Sequence, residues 1–186
     1  MGPRKRKNFF FSKLSVFSYF IIFIFSIGGC GYTTGSNLPG HLNTIYVTNF
    51  ENKINFSDES RKVLYFPLLE EDVRNAVIRR FQFDGNLKIS SKDNADLILK
   101  GTLLDYQRGI LRKTDNDNAE EYRIHIIVSL EMYDVVKQQV LWAEPNFAGE
   151  ATYFVTGPKA RSEEAGLKDA LDDLARRVVE RTVEDW

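Results

Sequence analysis

The sequence predicts an α+β domain, a two-layer sandwich with two helices packed on one face of a mixed sheet of four to five strands (β-α-β-β-β-β-α). Two observations support this class. Apolar and polar residues alternate in several segments, and apolar residues recur at spacings of three and four in two others. The first helical segment separates the first two strands, so these strands should be parallel, whereas short connections between later strands indicate antiparallel hairpins.

The strand signal is strongest in the segment EYRIHIIVSLEMYDV at residues 121–135. Polar residues occupy one face, and the apolar face comprises Tyr122, Ile124, Ile126, Val128, Leu130 and Met132. Shorter segments of the same kind predict strands at residues 44–50, 87–89 and 95–106.

Polar residues separate the later strands. Residues 112–120 contain the run DNDN and should form a hairpin loop, and a turn at residues 137–139 leads into a last strand at residues 140–155. Pro145 interrupts that strand, which indicates a sheet edge or a bulge.

Both predicted helices are amphipathic. Pro67 fits the first turn of the first helix, whose apolar stripe is Leu69, Val73, Ala76, Val77 and Phe81. Whether residues 60–65 form an earlier helical turn is open, because a proline kinks or restarts a helix. The second helix starts at Ser162, and its stripe is Leu167, Ala170, Leu171, Leu174 and Val178. Arginines near its end suit the negative end of the helix dipole.

Residues 1–29 have the outline of a secretory signal peptide. Five basic residues are their only charges, and an apolar stretch follows at residues 14–27. As a helix this stretch would cover roughly 21 Å, less than the roughly 30 Å of a bilayer core. Cleavage is therefore favoured over an uncleaved helical anchor, which would have to extend back through Lys13 to Phe9.

Cys30 is the single cysteine of the chain. The tetrapeptide Ile27-Gly28-Gly29-Cys30 resembles the lipobox of bacterial lipoproteins, in which the cysteine is acylated and becomes the new N-terminus. The alternative is a cysteine buried as a small hydrophobe, and the glycines on both sides disfavour it. The resemblance predicts lipidation of Cys30, and a multiply acylated cysteine suffices for stable anchoring.

These segments divide the chain into a signal peptide (1–29), a lipid anchor with a flexible tether (30–43) and a single domain (44–186). The whole chain has 25 basic and 26 acidic residues. Cleavage removes five basic residues and no acidic one, so the mature chain has a net charge of −6. This charge argues against nucleic acid as a partner.

The sequence does not predict an enzyme. His41 lies in the tether, His125 lies on the outer face of the long strand, and neither has a second Cys or His at metal-ligand spacing. No nucleophile elbow and no phosphate-binding glycine loop occurs. Two acidic pairs fall on polar helix faces, where solvation is expected: Glu70/Glu71 and Asp172/Asp173. We expect no cofactor and no metal, and the only expected prosthetic group is the covalent lipid on Cys30.

Three basic residues near the hairpin are candidates for contact with a glycolipid or a protein partner: Arg108, Arg112 and Lys113. Arginine and lysine are natural partners of phosphate groups. The alternative is a solvated loop tip, because Asp115 and Asp117 lie beside them in the sequence.

The chain resembles the LptE family of lipopolysaccharide-assembly lipoproteins. The resemblance rests on the order and spacing of several short segments rather than on one motif. These segments are CGY at residues 30–32, LP at 38–39, TIYVTNFEN at 44–52, ADLILKG at 95–101, Tyr106, VLW at 140–142 and NFAGEATY at 146–153. They extend from Cys30 to about Thr182 when the last helix is included.

The resemblance implies a lipid-anchored protein on the periplasmic side of the outer membrane. Members of the family sit inside the β-barrel protein LptD, help it fold, partly plug it, and bind lipopolysaccharide during its delivery to the cell surface. We expect the barrel contact to include the hairpin tip and residues 145–153. The alternative is an auxiliary lipoprotein of an inner-membrane transporter, and a lipid-anchored hydrolase is a third, weaker possibility.

Overall fold

The computed structural model describes residues 38–55 and 66–183. Cys30 and the predicted signal peptide lie outside the described residues. So do residues 60–65, where the sequence leaves an earlier helical turn open. The strands are β1 (Thr44–Val47), β2 (Glu51–Asn52), β3 (Lys88–Ile89), β4 (Leu97–Lys113), β5 (Ala119–Asp134) and β6 (Gln139–Phe154). The helices are α1 (Leu69–Asp84) and α2 (Glu163–Val183), and a short 3-10 turn spans Lys92–Asn94.

The strands form one mixed sheet in the order β3-β1-β4-β5-β6, with β2 also pairing to β4. Strand β1 runs parallel to β3 and β4, while β4, β5 and β6 form antiparallel pairs. The predicted α+β class and mixed sheet are confirmed. The predicted count of four to five strands is too low, because the chain after β1 returns to pair with β4 at Thr102 and Leu103. Both residues of β2 are polar and exposed, so no apolar residue signals this strand in the sequence.

The core lies between the sheet and the two helices. The predicted apolar face of β5 is buried from Ile124 to Met132, and the predicted stripes of both helices belong to the same core. Helix α2 begins after Ser162, as predicted, and the Ser162 hydroxyl accepts a hydrogen bond from the Ala165 amide at 3.2 Å. Helix α1 begins after Leu68, whose φ is 60°, so Pro67 precedes the helix instead of forming its first turn.

The β4–β5 hairpin is longer than predicted. The expected loop at residues 112–120 shrinks to residues 114–118, because both strands continue beyond the core as an exposed ladder. The Thr114 amide donates to the Asn118 carbonyl at 2.8 Å, and Asp117 takes a φ of 63°. The polar composition of this segment reflects exposure, not the absence of a strand.

Packing begins before β1, within the segment predicted as a tether. Leu42 is only 3% exposed and belongs to the core, and Leu38 packs against it. His41 Nε2 lies 3.1 Å from Oδ2 of Asp134, the fully buried last residue of β5. The chain therefore joins the domain at the end of the sheet where β5 ends and β6 begins.

Candidate binding surfaces

Arg108 lies on the helix-covered face of β4 and is engaged inside the domain. Its guanidinium forms an ion pair with Glu163 at the start of α2 and lies 5.0 Å from the ring centroid of Tyr122. The Tyr106 hydroxyl donates to the other oxygen of the same carboxylate at 2.9 Å. Burial and the Glu163 carboxylate raise the pKa of Tyr106 well above its usual range, so the phenol remains a hydrogen-bond donor. This cluster fixes the start of α2 on the sheet.

Arg112 and Lys113 lie at the exposed end of the hairpin. Arg112 lies 5.7 Å from the centroid of Phe154 on β6 and 3.5 Å from the carboxylate of Glu121. Lys113 pairs with Asp117 at 2.7 Å. Arg112 keeps 59% of its side chain exposed and Lys113 keeps 48%, so both remain accessible to a partner.

The structure does not bring the three predicted contact residues together. Arg108 is opposite Ile124, on the helix-covered face. Arg112 is opposite Glu121, which lies an odd number of residues from Ile124 on β5 and therefore on the other face of the sheet. A bulge at Leu111 inserts one residue between the two arginines and reverses the side on which Arg112 lies. The accessible part of the predicted site is therefore Arg112 and Lys113, together with two exposed apolar neighbours, Ile110 and Leu111.

Strand β6, the second predicted contact region, is an edge strand with a bulge at Pro145. Val128 is opposite Phe147 while Leu130 is opposite Glu144, which leaves Pro145 and Asn146 without partners in the register. The prediction that Pro145 marks an edge or a bulge is confirmed in both respects. Prolines and bulges are common means of protecting an edge strand from unwanted pairing.

The middle of the β6 edge is covered by α2. The Glu150 amide donates to Oδ2 of Asp173 at 3.1 Å, and Arg177, one turn further along the helix, donates to the Ala148 carbonyl. These side chains take the place that a neighbouring strand would occupy. Residues 145–153 therefore offer their outward side chains to a partner more readily than their backbone.

The face of the sheet opposite the helices is broad and half-buried, and polar pairs cross it. Lys100 pairs with Glu131 at 2.6 Å, and His125 pairs with Glu150 at 3.0 Å. Along β5 this face consists of Arg123, His125, Ile127, Ser129, Glu131 and Tyr133. His125 thus occupies the outer face of the long strand, where the sequence placed it.

A cavity of about 290 Å³ opens between the end of β1 and the first turns of α1. Its lining is mostly polar, and it consists of Asn49, Phe50, Glu70, Glu71, Arg74 and Asn75. Glu70 is already bonded to the Asn52 amide group at 2.9 Å, and Arg74 donates to the Val47 carbonyl at 3.2 Å. Within residues 38–55 and 66–183, no group of three or more His, Cys, Asp or Glu residues is placed to hold a metal ion.

The fold and these surfaces define a small α+β domain that offers an exposed hairpin, a protected edge strand and an open sheet face for binding. The profile of the LptE lipopolysaccharide-assembly family matches residues 42–182, well over half of the chain. The chain belongs to this family, as the resemblance in its sequence indicated. No curated protein sequence matches the chain significantly.

Two solved structures share the fold at low sequence identity, and a third is more distantly similar. Uncharacterized lipoprotein B of Nitrosomonas europaea is 14% identical with a TM-score of 0.53, covering 83% of this chain and 90% of its own. A Xanthomonas campestris protein is 10% identical with a TM-score of 0.50, covering 80% and 90% respectively. PelC of Paraburkholderia phytofirmans, solved as a dodecamer, is 16% identical with a TM-score of 0.46, covering 81% of this chain and 96% of its own.

Neither helix of the described residues is both long and apolar enough to cross a bilayer.

Proposed function

We propose that this protein is an outer-membrane lipoprotein, anchored through Cys30 and facing the periplasm, that binds and helps assemble the β-barrel protein LptD and partly plugs it. In this role it aids the delivery of lipopolysaccharide to the cell surface. The observation that supports the proposal most strongly is the match of residues 42–182 to the LptE lipopolysaccharide-assembly family.

The domain would act by binding, not by catalysis. Its hairpin extends beyond the core and presents Ile110 and Leu111 at 50% and 43% exposure beside Arg112 and Lys113. Aliphatic side chains next to long cations suit a surface that meets both apolar and anionic groups. The protected edge of β6 keeps the domain from pairing indiscriminately with the strand edges of an unfinished barrel.

Lipopolysaccharide is the proposed second partner, and the accessible cations for its phosphates are Arg112 and Lys113. Arg108 is a positioning residue in this proposal, because its guanidinium is paired with Glu163 and lies against Tyr122. A phosphate group at Arg108 would compete with that carboxylate for the guanidinium.

Site-specific photo-crosslinking in the native host tests the proposal. The photoreactive residue replaces Leu111 at the hairpin or Thr152 on β6, both of which are exposed, and a control replaces Lys92 at the opposite end of the sheet. We expect crosslinks from positions 111 and 152 to an outer-membrane barrel of the LptD type. Crosslinks from these positions to inner-membrane transport subunits would instead support an auxiliary transporter lipoprotein.

A further inference from the structure

One end of the sheet, which we call the entry end, is where the N-terminal segment joins the domain. A continuous row of aligned residues defines it, consisting of Ile89, Ile45, Leu97, Asp134 and Gln139. The Lys88 amide donates to the Asn43 carbonyl at 2.9 Å, and His41 bonds to Asp134 at 3.1 Å. The position of the last residues before β1 is thereby fixed.

Exposed apolar side chains lie at this end in both layers of the domain. Phe83, in the last turn of α1 just before β3, is 81% exposed. Val136, in the turn between β5 and β6, is 60% exposed, and Val140 at the start of β6 is 49% exposed. None of these side chains contributes to the core, although each is β-branched or aromatic and would gain from removal from water.

The charges at the entry end are mixed and leave the apolar side chains accessible. Three exposed lysines lie at the same end, Lys88, Lys92 and Lys137, and the Arg80 guanidinium lies 5.4 Å from the centroid of the Phe83 ring. The carboxylate of Asp96 is turned inward and accepts hydrogen bonds from the Asn43 and Thr44 amides at 2.9 and 3.0 Å. Asp84 bonds to Asn86, which leaves Asp93 as the exposed acid of the 3-10 turn. Lysine stems can extend along an apolar boundary while their ammonium groups stay in water.

The length of chain before the domain determines what meets this end. Eight peptide steps separate Cys30 from Leu38, which packs on the core, and they span at most about 28 Å. Ile110, the matching exposed residue on the hairpin, lies 13 residues along β4 from the entry end, roughly 40 Å away. A lipid on Cys30 therefore keeps Leu38 within about 28 Å of the acylated cysteine, a shorter distance than the one from the entry end to the hairpin.

We infer that the entry end is a membrane-docking surface, in which Phe83, Val136 and Val140 enter the headgroup region of the leaflet that holds the lipid anchor. This inference rests on the proposed acylation of Cys30. A lipid anchor restrains the distance of the domain from the membrane, and apolar contacts at the entry end add an orientation. The docked domain presents its hairpin and β6 to the barrel in one fixed direction.

Fluorescence quenching in vesicles tests the inference on the acylated full-length product. A single cysteine is introduced at Phe83 or Val136, or at Ile110 as the control with an exposure of 50%, close to that of Val140. Each is labelled with an environment-sensitive fluorophore and reconstituted into phosphatidylethanolamine and phosphatidylglycerol vesicles containing nitroxide-labelled acyl chains. We expect several-fold stronger quenching, with a blue-shifted emission, at positions 83 and 136 than at position 110. Adding Phe83→Ser to the protein labelled at position 136 should reduce the quenching there.

The outcomes separate docking from anchoring. Equal quenching at all three positions, or none at positions 83 and 136 while mass spectrometry shows acyl chains on Cys30, would overturn the docking surface and leave the anchor intact. A protein that reaches the membrane without acyl chains on Cys30 would overturn both. Photo-crosslinking of the acylated protein to a barrel tests the proposed partner separately from the docking surface.

Discussion

Gly149 on β6 lies directly against Leu174 on α2. A Cβ atom at position 149 would lie 2.6 Å from Leu174 Cα and 2.7 Å from the Ala170 carbonyl oxygen, so no side chain fits there without movement of the helix backbone. This close approach allows Asp173 and Arg177 to reach the edge of β6. The absence of a side chain at one strand position thus permits a helix to protect the edge.

Replacing Gly149 by alanine should destabilise the fold. We expect Gly149→Ala to lower the free energy of unfolding by about 1–3 kcal/mol, because the added methyl group overpacks the contact between β6 and α2. Urea unfolding measures the effect. Gly109→Ala is the matched control, since a Cβ atom on Gly109 meets nothing within 4 Å, and it should change the stability by less than about 0.5 kcal/mol. Equal losses in the two variants would contradict the close contact.

Removing the carboxylate of Asp173 should open the edge of β6 locally. Asp173→Ala leaves the Glu150 amide without its acceptor, and we expect its hydrogen exchange to accelerate by an amount equivalent to about 1 kcal/mol. Asp172→Ala is the control, because Asp172 pairs with exposed Lys168 of the same helix at 2.7 Å. If the Glu150 amide exchanged equally fast in both variants, α2 would not be what protects this edge.

Glu163 should stabilise the start of α2. Glu163→Ala removes the shared partner of Arg108 and Tyr106 in a partly buried site, and we expect a loss of about 2 kcal/mol in the free energy of unfolding. Glu164→Ala, at an exposed neighbouring position, should cost less than half of that. Thermal unfolding of both variants measures the difference. A loss for Glu163→Ala no larger than the loss for Glu164→Ala would show that the Arg108 cluster does not stabilise the start of α2.

The buried carboxylate of Asp134 should make the fold lose stability at acid pH. Burial raises the pKa of its carboxyl group, but hydrogen bonds from the Lys137 amide and His41, together with the charge of His41, lower the pKa below its ordinary value of 3.8. The ionised carboxylate therefore stabilises the folded state when the pH is above the ordinary pKa of 3.8. This contribution is lost as the pH falls through the lower pKa of the folded state. Wild type should be more stable than Asp134→Asn in urea at pH 7, and the difference should shrink at pH 3. A difference that grew on acidification would contradict this sign.

The sequence predicted the helices and long strands well because their apolar periods extend over many residues. The alternation from Tyr122 to Met132 defines the buried face of β5, and Pro145 correctly indicates both an edge and a bulge. Strand β2 could not be predicted in this way, since Glu51 and Asn52 are both polar and exposed and offer no apolar residue to alternate with.

The candidate site was less predictable, because its geometry depends on bulges and distant contacts. Arg108 and Arg112 are four residues apart and would share a face in a regular strand, but the bulge at Leu111 places them on opposite faces. The bond between His41 and Asp134 joins residues 93 positions apart, and only the completed sheet brings them together. No local pattern in the sequence signals either arrangement.

The central claim is that this chain is a lipid-anchored partner of an outer-membrane barrel, and a membrane pull-down from the native host tests it most directly. Tagged wild type and Cys30→Ala would be compared, and mass spectrometry would read the mass of the N-terminal peptide. We predict that wild type carries acyl chains on Cys30 and brings down a large barrel protein of the LptD type, whereas Cys30→Ala carries none and recovers much less of it. An unacylated wild type, or recovery of inner-membrane transport subunits instead of a barrel, would contradict the claim.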